Sequence, residues 1–216
     1  MGQQMTRSKS KRTWRDLIRD VPTKEEEEGI EKFLDSAPDL ALAILLAAGL
    51  EREIEDHIVS TLKRRDNSTI GMLVSPEGPL NSFSAKVIHG YAMGIYDDEI
   101  RHNLIVVAHI RNAFAHARKL IKFDDPEIIA ELGRIRLPLQ KRSNLHKDLQ
   151  LSRSNVLDGR KRYWVLCTVL ATQLIRRRSR LLKKSTRYFK KKGEYWRKRA
   201  MYATLSGLAA FPPPQK

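Results

Sequence analysis

The chain has a single cysteine, Cys167, so an intramolecular disulfide and any multi-cysteine zinc site are excluded, and a reducing compartment suits it. Long apolar runs are missing as well. The longest, Leu40 to Leu50, is about half of the ~20 residues a membrane span needs and reads as a buried helix. The first 19 residues carry Arg7, Lys9, Lys11, Arg12, Arg15 and Arg19 without an apolar stretch, so no secretory leader is expected and the cytoplasm is the expected location. There is no glycine-rich phosphate loop, because Gly71 and Gly78 lie far apart and no Gly-Lys-Ser/Thr follows. Gly-x-Ser-x-Gly is absent too, so neither a nucleotide cofactor nor a hydrolase triad is expected. Sustained period-two alternation is also lacking, which points to an all-α fold.

Acidic residues nearly vanish from the last third. Residues 141–216 hold 21 Lys and Arg against 3 acids, Asp148, Asp158 and Glu194, while residues 1–140 hold 20 basic and 22 acidic side chains. The excess of +16 is therefore entirely C-terminal. A polyanion such as RNA, DNA or an anionic membrane surface is the partner class such a segment suits, because phosphate contacts release counterions.

What is present is helix-forming. Hydrophobic residues make up 41% of 216, enough for the core of one domain. Residues 1–22 read as a mobile basic arm with one amphipathic patch, Trp14-Leu17-Ile18. Thr23 with Glu26 forms a capping box before a helix to about Asp35. Ser36 with Asp39 predicts a second box before a long helix to about Arg65. Gly71, Pro76, Gly78 and Pro79 predict a loop over Asn67 to Leu80. Further helices are expected from Ser82 to about Gly94, with Ser82 or Ser84 as cap, from Asp97 to about Ala117, and from Asp124-Asp125-Pro126 to Pro138. The domain so built spans 23–138.

Residues 139–158 read as a linker. Two basic helices, about Gly159 to Leu182 and Ser185 to Leu205, complete an added hairpin module over 159–211. The candidate nucleic-acid cations there are Arg176, Arg177, Arg178, Arg180, Lys183, Lys184, Lys190, Lys191, Lys192, Arg197, Lys198 and Arg199. Trp164, Tyr188, Phe189, Tyr195 and Trp196 are interleaved with them, as on surfaces that stack bases and clamp phosphates. A hairpin docking its apolar stripe while its cations stay wet fits the same pattern.

His102, His109 and His116 recur every seven residues and form one helix stripe. Successive members stand about 10.5 Å apart along the axis, too far to share one ion, so an interface stripe is expected and no metal.

Two stretches carry a resemblance. Gly78-Pro79-Leu80-Asn81-Ser82-Phe83-Ser84-Ala85-Lys86, continuing to Tyr91-Ala92-Met93-Gly94-Ile95, is followed by Ile110-Arg111-Asn112-Ala113-Phe114-Ala115-His116. In that order and spacing, over roughly residues 30 to 137, they resemble the mannitol operon repressor family. The resemblance implies a helical regulator without a helix-turn-helix that acts through protein contacts, including with a sugar-phosphotransferase carrier protein. It also implies a partner surface among Gly78, Pro79, Phe83, Ser84, Lys86 and Tyr91. Family members usually carry a basic residue about where His109 stands, and a homodimer is the expected assembly.

The Arg-Asn-x-x-x-His spacing also resembles the HEPN superfamily, many of whose members cut RNA without a metal. By that likeness Arg111, Asn112 and His116 are the catalytic candidates. A neutral imidazole would take a 2′-hydroxyl proton while a guanidinium stabilises charge on the phosphate. On a straight helix Arg111 and His116 lie about 140° apart, whereas Asn112 and His116 share a face. Convergence therefore needs the helix to loosen near Phe114 or a second protomer. A structural role would instead pair His116 with Asn112.

Overall fold

The computed structural model describes residues 23–136 and 157–181 together with Gln150. Among the described residues there are seven α-helices: α1 (Lys24–Ser36), α2 (Asp39–Thr61), α3 (Asn67–Val74), α4 (Phe83–Ala92), α5 (Asp98–His116), α6 (Pro126–Gly133) and α7 (Gly159–Leu181). The described residues form an all-α multi-helix bundle. No helix of the described residues is long and apolar enough to cross a membrane.

Most helix starts follow the side chains that satisfy their free N–H groups. The Thr23 hydroxyl accepts from Glu26 N–H while the Glu26 carboxylate accepts from Thr23 N–H at 2.6 Å. Ser82 caps α4, Asp97 caps α5, and Pro126 occupies the first turn of α6. The second box expected at Ser36 and Asp39 does not form. Ser36 is still helical and donates back to the Lys32 and Phe33 carbonyls, and Pro38, which has no side-chain cap, opens α2. Proline disfavours a helical residue before it, so the break falls at Ala37-Pro38.

Three further boundaries differ from expectation. The stretch expected as loop contains α3, started by Asp66, whose carboxylate accepts from Thr69 N–H and hydroxyl at 2.9 and 2.8 Å. α2 stops at Thr61, and α6 stops at Gly133, five residues short of Pro138.

α7 occupies the centre of the bundle. Residues 162–172 are buried without interruption, and Tyr163, Trp164, Leu166, Val169, Leu170 and Leu174 belong to one hydrophobic core with Leu42, Leu46, Leu50, Ile54, Leu104 and Ile110. Each such large side chain contributes roughly 1.5–3 kcal/mol on burial. α2 and α7 run parallel. Arg160 binds Asp39 at 2.6 Å near their starts, Tyr163 donates to the Ala43 carbonyl, and Arg178 binds Asp56 at 2.8 Å near their ends. α5 runs antiparallel to both: Asp97 at its start meets Arg177, and the Phe114 ring near its end packs tilted against Phe123, which in turn packs tilted against Tyr163. The helix expected to open an added basic module thus shares the core of α1–α6. Residues 182–211, with the expected second helix of the hairpin, lie outside the described residues, as do the arm 1–22 and nearly all of 139–158.

Candidate functional site

α4 carries the longer of the two motifs and divides it between an inner and an outer face. Phe83, Lys86, Val87 and Gly90 point inward. The Lys86 ammonium donates to Glu51 at 2.7 Å and pairs with Glu55 at 2.9 Å, two carboxylates one turn apart on α2. Burial alone would lower the Lys86 pKa, but the hydrogen bonds it donates to Glu51 and Glu55 outweigh it and hold the ammonium above its ordinary value. Gly90 is required by close approach: a Cβ there would lie 2.5 Å from the Tyr96 hydroxyl, which donates to the Val87 carbonyl at 2.8 Å. Gly78 is required for the same reason, since a Cβ would collide with the Met72 and Leu73 carbonyls.

The outer face has a different character. Pro79 and Ser84 are exposed, Ile88 is 62% exposed, and Tyr91 and Met93 are each 43% exposed. Ser84, Ile88 and Tyr91 follow each other at helical spacing of four and three, so they lie along one side of α4. The Arg101 guanidinium sits 4.9 Å over the Tyr91 ring and fixes it in place. Three of the six expected partner-surface residues, Gly78, Phe83 and Lys86, are therefore buried and hold the helix, while Pro79, Ser84 and Tyr91 present it.

The second motif is not drawn together. α5 is regular through Phe114, which is buried against Phe123, and His116 is its last residue. Arg111 and His116 stay on different faces. Arg111 donates to the Asn112 side-chain amide oxygen Oδ1 at 2.9 Å, both residues being half-buried, and His116 is exposed with no hydrogen bond among the described residues. The pairing of Asn112 with His116 expected from their spacing does not form.

The histidine stripe lies partly against α6. His102 Nε2 meets the Arg134 carbonyl at 2.9 Å, and His109 Nδ1 meets Glu131 at 2.8 Å. Burial would raise the Glu131 pKa, but hydrogen bonds from Arg134 and His109 outweigh it and hold the carboxyl below its usual value. No group of three or more His, Cys, Asp or Glu among the described residues is placed to hold a metal.

Of the candidate polyanion cations, the structure describes four. Arg176 and Arg180 are exposed, Arg177 is paired with Asp97 at 2.5 Å, and Arg178 is buried and paired with Asp56 at 2.8 Å. Arg177 and Arg178 therefore fasten the end of α7 to α5 and α2. Lys183, Lys184, Lys190, Lys191, Lys192, Arg197, Lys198 and Arg199 lie outside the described residues.

Beside Arg178 is a feature that sequence reasoning missed. His57 is fully buried, neither ring nitrogen has a hydrogen-bond partner among the described residues, and Glu53 is buried one turn before it. Burial, helped by the charges of Arg178 and Arg177, pushes the His57 pKa down to about 4. The imidazole is neutral at pH 7. The four-residue spacing of Glu53 and His57 within the amphipathic half of α2 was the available signal.

No family model matches the chain, and no curated protein matches it. Among solved structures, one described as a possible transcriptional regulator, YggD from Shigella flexneri 2a str. 2457T, is similar over 74% of this chain and 99% of that chain, at 14% identity and a TM-score of 0.46.

Proposed function

We propose that the chain is a helical regulator of the mannitol-operon-repressor type that works through protein contacts, with its basic C-terminal segment meeting nucleic acid or another polyanion. The observation that supports this reading best is the outer face of α4. It sets Ile88 and Tyr91 in water on a helix whose inner face is locked by the Lys86 ion pairs and by the Gly90–Tyr96 contact. A rigid apolar and aromatic patch with a cation stacked on it has the composition of a binding hot spot.

The partner class is a sugar-phosphotransferase carrier protein, and the test is a calorimetric titration of the full chain with that protein from the native host. Binding is expected to weaken at least tenfold in Ile88→Asp and in Tyr91→Ala, while Ser68→Ala, on α3, leaves it unchanged. Absence of binding, or equal binding by all four proteins, contradicts the reading. For the polyanion contact, affinity should fall steeply with salt, and replacing Arg176 and Arg180 by Gln should flatten the slope.

A further inference from the structure

The loop between α5 and α6 exposes Arg118, Lys119 and Lys122 around Leu120, which is 94% exposed, the most exposed large hydrophobic side chain of the described residues. Its neighbours hold it there. Ala117 N–H donates to the Ala113 carbonyl at 3.0 Å on one side. On the other, Ile121 packs on the core, and Phe123 is buried with its N–H on Asp39 at 3.1 Å and its ring packed against Phe114 and Tyr163. Leu120 cannot turn inward without displacing these anchors, so its apolar surface stays in water in the free protein.

Within the loop itself, residues 117–122, every charged side chain is a cation. No acid occurs from residue 100 to residue 123, and the two that follow are turned onto backbone donors. Asp124 accepts from Gly159 N–H at 2.9 Å, and Asp125 accepts from Lys122 N–H at 3.0 Å. Arg118, Lys119 and Lys122 make no ion pair among the described residues. An anionic partner suits the cations, and an apolar layer suits Leu120. Residues 117–122 include no aromatic side chain on which a base could stack, so a single-stranded nucleic acid would lack its usual platform there.

We propose that residues 117–122 form a docking point for an anionic lipid surface, with Leu120 set into the interface and Arg118, Lys119 and Lys122 in the headgroup layer. The contact is peripheral and reversible: each cation near such a surface raises partitioning about fivefold, and burial of one leucine raises it about tenfold or more. It uses residues distinct from the α4 face.

The test uses the full chain and vesicles of phosphatidylcholine with or without phosphatidylserine. C-terminal cations also attract anionic vesicles, so the readout is local: an environment-sensitive fluorophore on Leu120→Cys, with the buried Cys167 replaced by Ala so that the label is unique. Blue-shifted emission is expected with phosphatidylserine vesicles and not with phosphatidylcholine alone. Leu120→Ser should lower partitioning about tenfold with an unchanged circular dichroism spectrum. Replacing Arg118, Lys119 and Lys122 together by Gln should lower it about a hundredfold. Unchanged emission while the chain sediments with the vesicles, or undiminished partitioning of Leu120→Ser, overturns the proposal. So does an equal emission shift with single-stranded RNA in place of vesicles, which would assign the loop to nucleic acid.

Discussion

Lowering the pH should loosen this bundle through one residue. Burial and the neighbouring Arg178 and Arg177 take the His57 pKa from 6.5 to about 4, so the unfolded chain accepts this proton before the folded one does. The stability is present in full above pH 6.5 and is lost as pH falls through the folded pKa. The loss attributable to His57 is about 2 kcal/mol at pH 5 and about 3 kcal/mol at pH 4. The charged groups acting on the ring are Arg178 and Arg177 of α7; on α2 itself, Glu53 is buried one turn before His57 and Asp56 is held by Arg178.

Carboxylates such as Asp98 and Glu131 also titrate toward acid pH, so the informative quantity is the difference between wild type and His57→Leu. Leucine fills a similar volume, and no side-chain hydrogen bond among the described residues is lost, so the variant should match or exceed wild-type stability at pH 7. Urea unfolding at pH 7, 5 and 4 should then show the variant gaining on wild type by about the amounts above. Parallel pH profiles for the two proteins, or an NMR titration placing the His57 midpoint near 6.5, would refute the reasoning.

Other expectations are equally specific. Lys86→Met leaves Glu51 and Glu55 facing each other without their cation and should destabilise by about 2 kcal/mol, partly restored by adding Glu51→Gln, measured by urea unfolding. Gly90→Ala should destabilise by roughly 1–3 kcal/mol through overpacking, with Tyr96→Phe in the same chain relieving part of it. His116→Ala should stay within about 0.5 kcal/mol of wild type, because the side chain is exposed and Asn112 is engaged by Arg111. With Arg111 and His116 on different faces, wild type and His116→Ala should both leave single-stranded RNA intact in EDTA. Cleavage that vanishes in the variant would reinstate the ribonuclease reading.

Helix boundaries set by local chemistry were legible from sequence alone. Thr23 with Glu26, Ser82, Asp97 and Pro126 each act within one turn, so no tertiary information is needed to place them. Boundaries decided by competition were not. Ser36 and Asp39 satisfy the capping pattern, but Pro38 between them decides where the chain breaks. Asp66 starts a helix that Gly71 and the following prolines disguise.

The role of α7 was hidden for a different reason. Its cations at Arg160, Arg177 and Arg178 raise the net charge of the segment, yet each is held by an acid from α2 or α5. Charge counted along the chain cannot show pairing across 80 or 121 residues. The motif residues divide similarly. Lys86 reads as polar and available until α2 supplies its two carboxylates, whereas the exposure of Tyr91 depends on where α4 packs.

The measurement that bears most directly on the regulator reading is a hydrogen–deuterium exchange footprint of the full chain with and without the carrier protein from its host. Protein contact through the outer face of α4 predicts added protection within residues 84–93 and no change within α3. Protection confined to residues 111–122, or none anywhere at saturating carrier, would contradict it.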